Sequence, residues 1–181
     1  MHEEIEKIIY TKEEILKRVK ELAADISQNY KSDDLIVITV LKGGAMLSAD
    51  LVRELDFPVT LDYISVSSYY SGTTSTGNVQ IKKDTDINVK GRHVLIVEDI
   101  VDSGNTLAHL IKLFALRGAK DVRICTLLNK PSRRKAEVNV DYIGFEIPDE
   151  FVVGYGLDYD QKYRNLPYIG VLKPEVYADN N

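Results

Sequence analysis

The run Val94-Leu95-Ile96-Val97-Glu98-Asp99-Ile100-Val101-Asp102-Ser103-Gly104-Asn105-Thr106-Leu107 constrains the fold of this chain more than any other stretch. Its four leading apolar residues, three of them β-branched, show no alternation. That suits a strand covered on both faces rather than one with a solvated side. The periodic Leu107, Leu110, Ile111 and Phe114 that follow suit a helix packed on one of those faces. Strand, loop and helix then form one βα unit of a parallel sheet. In such sheets ligands sit beyond the carboxyl ends of the strands. Loop 102–106 would offer backbone N–H groups and hydroxyls there, at a helix N-terminus carrying roughly half a positive charge. A phosphate suits that place. Glu98 and Asp99, expected at the strand's end, could accept hydrogen bonds from sugar hydroxyls or hold a hydrated hard cation. On the residues alone, an acidic helix cap, a Walker-B-like strand end and a phosphoacceptor aspartate pocket remain open. No G-x-x-x-x-G-K-[ST] and no G-x-G-x-x-G occurs, which argues against a P-loop and a dinucleotide fingerprint.

The flanking segments carry the same period. Thr11 and Glu14 make a capping box, and Ile15, Val19, Leu22, Ala23 and Ile26 recur at helical spacing to about residue 30. A second apolar strand over 35–41 ends at Lys42-Gly43-Gly44, before a helical pattern carrying Met46, Leu47, Leu51 and Leu55. The two glycines read equally well as a tight turn and as a close approach of backbone to ligand. A strand over 59–66 leads into a polar stretch at 67–78, too long for a simple hairpin and suited either to a lid or to a surface excursion; 79–81 returns from it. A strand over 122–128 delivers Asn129-Lys130-Pro131. The cluster Lys130, Arg133, Arg134 and Lys135 reads by composition as a solvated edge, with Lys130 set apart because it directly follows an apolar strand. Residues 148–167 are irregular and rich in aromatics, which suits a packing flap or a flat wall for a planar ligand. A last short strand over 168–172 is expected, and the tail after Pro174 carries no readable site.

With 181 residues and 44% apolar content, the chain is expected to form a single domain over 1–181. Its formal net charge of −5 weighs against a general nucleic-acid binder. The single Cys125 lies in an apolar strand and reads as a small buried hydrophobe. With no apolar run long enough to span a bilayer, and no leader-like start, the expected compartment is the cytoplasm, without a membrane partner.

An apolar strand, Glu98-Asp99, two apolar residues and then Asp102-Ser103-Gly104-x-Thr106 resembles the phosphoribosyl-pyrophosphate signature of the type I phosphoribosyltransferases, and Glu-Asp at its head is similar to the hypoxanthine-guanine branch. The resemblance covers about residues 11–172. It implies an α/β fold: an open, mostly parallel twisted sheet flanked by helices, with a core over about 35–145 and a small purine-binding hood from about 1–30 and 146–181. The implied activity is transfer of the 5-phosphoribosyl group from phosphoribosyl pyrophosphate to N9 of hypoxanthine or guanine, with Mg²⁺ as cofactor. The alternatives are a xanthine- or adenine-preferring relative and an RNA-binding regulator on the same fold.

The resemblance also implies roles for particular residues. Asp102 would be the catalytic base at the purine N7, and Asp102, Ser103, Gly104, Asn105 and Thr106 would hold the 5′-phosphate. Lys42, Gly43, Arg164, Ser68 and Tyr69 would bind pyrophosphate, with the Leu41–Lys42 peptide bond cis and Ser68-Tyr69 in a lid. Glu98 and Asp99 would support the ribose and, with Asp158, the metal through water. Lys130, Phe151, Val152 and Asp158 would bind the purine. A homodimer or homotetramer working on small molecules is implied, with no nucleic-acid partner. Asn105 and Gly156 depart from the family pattern, and neither is expected to touch a chemical role.

Overall fold

The computed structural model describes residues 2–30, 34–68 and 79–178. In chain order the elements are β1 (Ile5–Tyr10), α1 (Lys12–Asn29), β2 (Leu35–Leu41), α2 (Ala45–Glu54), β3 (Thr60–Ser68), β4 (Val79–Lys83), β5 (His93–Val101), α3 (Asn105–Leu116), β6 (Asp121–Asn129), β7 (Tyr142–Glu146), β8 (Val152–Val153), β9 (Ile169–Leu172) and α4 (Pro174–Ala178). The main sheet runs β4-β3-β2-β5-β6-β7, parallel throughout except for β4 at one edge. A small antiparallel sheet runs β1-β9-β8.

The unbroken apolar runs of β2 and β5 follow from burial on two sides. Val37, Leu95, Val97 and Cys125 point into one layer, with Ile15, Val19 and Leu22 of α1 and Leu47 and Leu51 of α2. Their neighbours Ile36, Ile38, Ile96 and Ile124 point into the other, against Leu107, Leu110 and Phe114 of α3. Each such side chain contributes roughly 1.5–3 kcal/mol on full burial, so a polar residue at either parity would be costly. Cys125 is fully buried, and burial pushes its thiol up to about 12, in keeping with a packing role.

α1 starts at the expected capping box: Thr11 accepts from the Glu14 N–H while the Glu14 carboxylate accepts from the Thr11 N–H. The helix buries Ile15, Val19, Leu22, Ala23 and Ile26 against the main sheet, so of the N-terminal elements only β1 joins the small sheet. Arg18 reaches across to the carbonyls of Ile143 (2.8 Å) and Gly144 (3.0 Å). These contacts cover the open edge at β7, which would otherwise offer unpaired acceptors.

Two expectations are corrected, and three strands form that the sequence did not announce. β5 does not end at the carboxylates; it runs two residues past Asp99 to Val101, because Glu98, Ile100 and Val101 stay paired with Thr126, Leu128 and Asn129 of β6. Met46 is 42% exposed, and α2 buries Leu47, Ser48 and Leu51 instead. Strands β1, β7 and β8 carry too short a period to be read locally and form because longer neighbours offer them partners. No helix among the described residues is long and apolar enough to cross a membrane.

Candidate active site

Because β2, β5 and β6 run parallel, the segments that leave them share the carboxyl edge of the main sheet, where open α/β sheets take their ligands. Three segments converge there: 42–44 after β2, 102–106 after β5 and Lys130 after β6. The irregular chain over 148–164 folds over them from the small sheet.

The β2 turn is tightly layered. The Leu41–Lys42 bond is cis. A Cβ on Gly43 would fall 1.7 Å from Asp99 Oδ2, so the Asp99 carboxylate fills the space a side chain would need. Gly156, at φ +103°, lies against the other side, where its own Cβ would stand 2.1 Å from the Gly43 carbonyl oxygen. Gly156 therefore does touch the proposed pyrophosphate turn, contrary to the expectation from sequence. Lys42 Nζ donates to Gln161 Oε1 (2.9 Å), and Arg164 donates to the Gly156 carbonyl (2.7 Å) and pairs with Asp158 (2.8 Å). Gln161 accepts from Arg164 as well (3.5 Å) and donates its N–H to Asp158 (2.8 Å). Lys42, Arg164 and Asp158 are thus gathered around Gln161, a residue whose amide gives no local sequence signal.

Glu98 and Asp99 are partly exposed near the carboxyl end of β5. Burial, and then the neighbouring Asp99 charge, pushes the Glu98 carboxyl well up from its ordinary value. Burial also raises Asp99, offset in part by its hydrogen bond with Glu98 and by the Ile100 N–H at 2.8 Å. Two adjacent carboxylates held at this cost form a hard-oxygen donor set that a hydrated divalent cation would relieve. Asp158 is committed to Arg164, and no group of three or more ligating side chains forms among the described residues. The donor set fits a cation bound largely through water.

The loop after β5 encloses a cavity of about 110 Å³ lined by Glu98, Val101, Asp102, Ser103, Gly104 and Thr106, at the N-terminus of α3. Larger hollows of about 440 Å³ lie along α1 and α2, lined by Lys20, Asp50, Arg53, Glu54 and their neighbours. They contain none of the converging segments, so size alone does not mark the site. The Asp102 carboxylate is about half exposed, but its Oδ1 turns inward without a hydrogen bond, 3.6 Å from Arg133 Nε.

Lys130 is buried (6% exposed). Its Nζ donates to the Glu150 carbonyl (2.6 Å) and stands 3.6 Å from Asp149. Phe151, 40% exposed, stacks on Tyr177 of α4 (centroids 4.9 Å apart, 21° between planes) and meets Tyr159 edge-on at 5.6 Å. The tail beyond Pro174 therefore supports a proposed site residue that its sequence did not announce. Val152 is buried in β8, paired with Val171. Lys130 is buried and Arg134 half-buried, each donating to backbone carbonyls, while Arg133 and Lys135 stay exposed, so only half of the basic cluster is the solvated edge its composition suggests. Tyr69 and the rest of the expected lid lie outside the described residues, and Ser68 is described only as the backbone end of β3.

An open, mostly parallel α/β sheet with a small loop cavity at a helix N-terminus, a carboxylate pair and cationic side chains at its carboxyl edge is an architecture suited to phosphorylated small molecules. The phosphoribosyl transferase domain family matches residues 6–160, and the chain belongs to that family. It is similar to the hypoxanthine-guanine phosphoribosyltransferase of Bacillus subtilis, 53% identical over 98% of both chains. Among solved structures it resembles a hypoxanthine phosphoribosyltransferase from Staphylococcus aureus (TM-score 0.94, 47% identity, 98% of this chain and 96% of that one). The Trypanosoma cruzi hypoxanthine phosphoribosyl transferase is similar at TM-score 0.94 and 44% identity, over 99% of this chain and 97% of that one.

Proposed function

We propose that this chain is a purine-salvage enzyme that transfers the 5-phosphoribosyl group of phosphoribosyl pyrophosphate to N9 of hypoxanthine or guanine, releasing the nucleotide and pyrophosphate. The observation that carries the choice of base is Lys130: a buried ammonium at the end of a core strand, next to the segment that presents the Phe151 ring. An ammonium offers donors only, which matches the 6-oxo group of hypoxanthine and guanine and mismatches the 6-amino group of adenine. Phe151 supplies the stacking surface, the Val152 backbone meets the base edge, and Asp158 lies close to the base.

In the reaction the bond from the sugar carbon to N9 forms as its bond to pyrophosphate breaks, and the purine gives up a proton. Asp102 takes that proton at N7, a role supported by the inward Oδ1 that makes no hydrogen bond. Loop 102–106 holds the 5′-phosphate at the N-terminus of α3. Lys42, Gly43 and Arg164, with Ser68 and Tyr69 from the long loop, hold the pyrophosphate, whose growing charge preorganised cations stabilise. Glu98 and Asp99 accept from the ribose hydroxyls. They and Asp158 would hold Mg²⁺ through water, and the bound ion would add positive charge beside the leaving group.

In this reading β1 and residues 146–181 contribute the purine hood over the core at 35–145, within one domain; α1, which the sequence assigned to the hood, belongs with the core because its inward face packs on the main sheet. The protein works in the cytoplasm as a homodimer or homotetramer, which light scattering on the eluted protein tests. Steady-state assays with phosphoribosyl pyrophosphate, Mg²⁺ and each of hypoxanthine, guanine, xanthine and adenine test the activity. Turnover of the first two well above the others is expected; turnover of adenine equal to guanine sinks the role of Lys130.

A further inference from the structure

We propose that Arg134 is a positioning residue that holds the Asp102 loop in register with Lys130. It follows the short turn Pro131–Arg133 beyond β6, and its half-buried guanidinium makes three contacts. Nε donates to the backbone carbonyl of Asp102 (3.2 Å), one terminal nitrogen to the Val138 carbonyl (3.3 Å) and the other to the side-chain oxygen of Asn129. The Arg134 stem packs on the loop too: a Cβ on Gly104 would stand 2.9 Å from Arg134 Cδ.

The residues after Arg134 continue the contact. The N–H groups of Lys135 (2.9 Å) and Ala136 (3.0 Å) both donate to the Ser103 carbonyl. On the β6 side, Lys130 N–H donates to the Val101 carbonyl (2.9 Å). The loop carrying Asp102 is therefore pinned to the segment that leaves β6 before, at and after that residue, and the Arg134 side chain reaches Asp102 itself, Asn129 and Gly104 together.

A guanidinium suits this work because its donors are fixed in one plane and point in separate directions, whereas an ammonium is a single compact point of charge. Holding the Asp102 carbonyl sets the Cα from which the carboxylate extends. A misplacement of about 1 Å at a reacting group can cost on the order of 10²-fold in rate.

This inference rests on Asp102 acting as the base, and a double-mutant cycle separates the two. Turnover and both KM values are measured for wild type, Arg134→Ala, Asp102→Asn and the double variant, with thermal melts to confirm folding. Arg134→Ala is expected to lower kcat by about 10²-fold while the purine KM stays within about twofold, because only the register of a reacting group is lost. Millimolar guanidinium should restore part of that kcat, and Arg134→Lys should be slow and unrescued. In the Asp102→Asn background, Arg134→Ala should cost little further, since a residue acting through another loses its effect when that one is gone.

If the two losses multiply, or if folded Arg134→Ala turns over within twofold of wild type, the positioning role is overturned. Unchanged turnover in Asp102→Asn alone overturns the base assignment, and the inference with it. Should Arg134→Ala not fold, Arg134→Gln in both backgrounds decides between the same outcomes.

Discussion

Gly156 rests against Gly43 so closely that a methyl group on it would stand 2.1 Å from the Gly43 carbonyl oxygen. The contact couples the segment over the cleft to the turn proposed to hold pyrophosphate. Gly156→Ala meets both this clash and a φ of +103°. It should cost on the order of 1–3 kcal/mol in stability. It should also raise the KM for phosphoribosyl pyrophosphate more than that for the purine. A thermal melt and paired KM measurements check both, and a variant matching wild type in each shows that the turn is not set by this contact.

Asp102→Asn keeps the size of the side chain and removes its basicity. Its kcat should fall about 10²- to 10⁴-fold, the contribution a positioned base usually makes. Binding of phosphoribosyl pyrophosphate, followed by calorimetry, should change little, because the 5′-phosphate is held by the loop backbone and hydroxyls.

Lys130→Met fills much the same volume without an ammonium. Loss of one hydrogen bond from a charged donor corresponds to about 1.5–3 kcal/mol, or roughly 10- to 100-fold in kcat/KM for guanine. Adenine never gained that bond, so the guanine-to-adenine ratio should narrow. A ratio that stays at the wild-type value assigns base selection to other groups.

Arg117 braces the chain that returns from β4. Its hydrogen bonds to Asp84 (2.7 and 2.6 Å) hold that carboxyl below its ordinary value of 3.8. A carboxyl depressed in the folded state contributes stability above its unfolded value and loses it as pH falls through the folded one. The side chains are 32% and 46% exposed, so solvent screening keeps the effect small. Arg117→Ala should melt slightly below wild type at neutral pH, and the two melting curves should converge as pH drops below 3.8. A gap that persists in acid would assign the contact a packing role.

The chain by itself determined the elements whose cause is local: the doubly buried strands β2, β5 and β6, the capped helix α1 with its inward face, and the turns at Lys42-Gly43-Gly44 and 102–106. Burial on two faces removes alternation, and a cap joins residues three apart, so both leave a mark in a short window. Tertiary structure alone decided the end of β5, because the partner strand β6 keeps Glu98, Ile100 and Val101 in the ladder. It also decided the contacts across the cleft. Lys42 meets Gln161 across 119 residues, Gly156 meets Gly43, and Tyr177 stacks on Phe151. Arg134 shows the same limit over a shorter span, since its fork reaches Asp102 only once β5 and β6 lie side by side. Such pairings depend on how the strands order themselves and how the segment over 148–164 closes on their edge, and no periodicity within either partner encodes that.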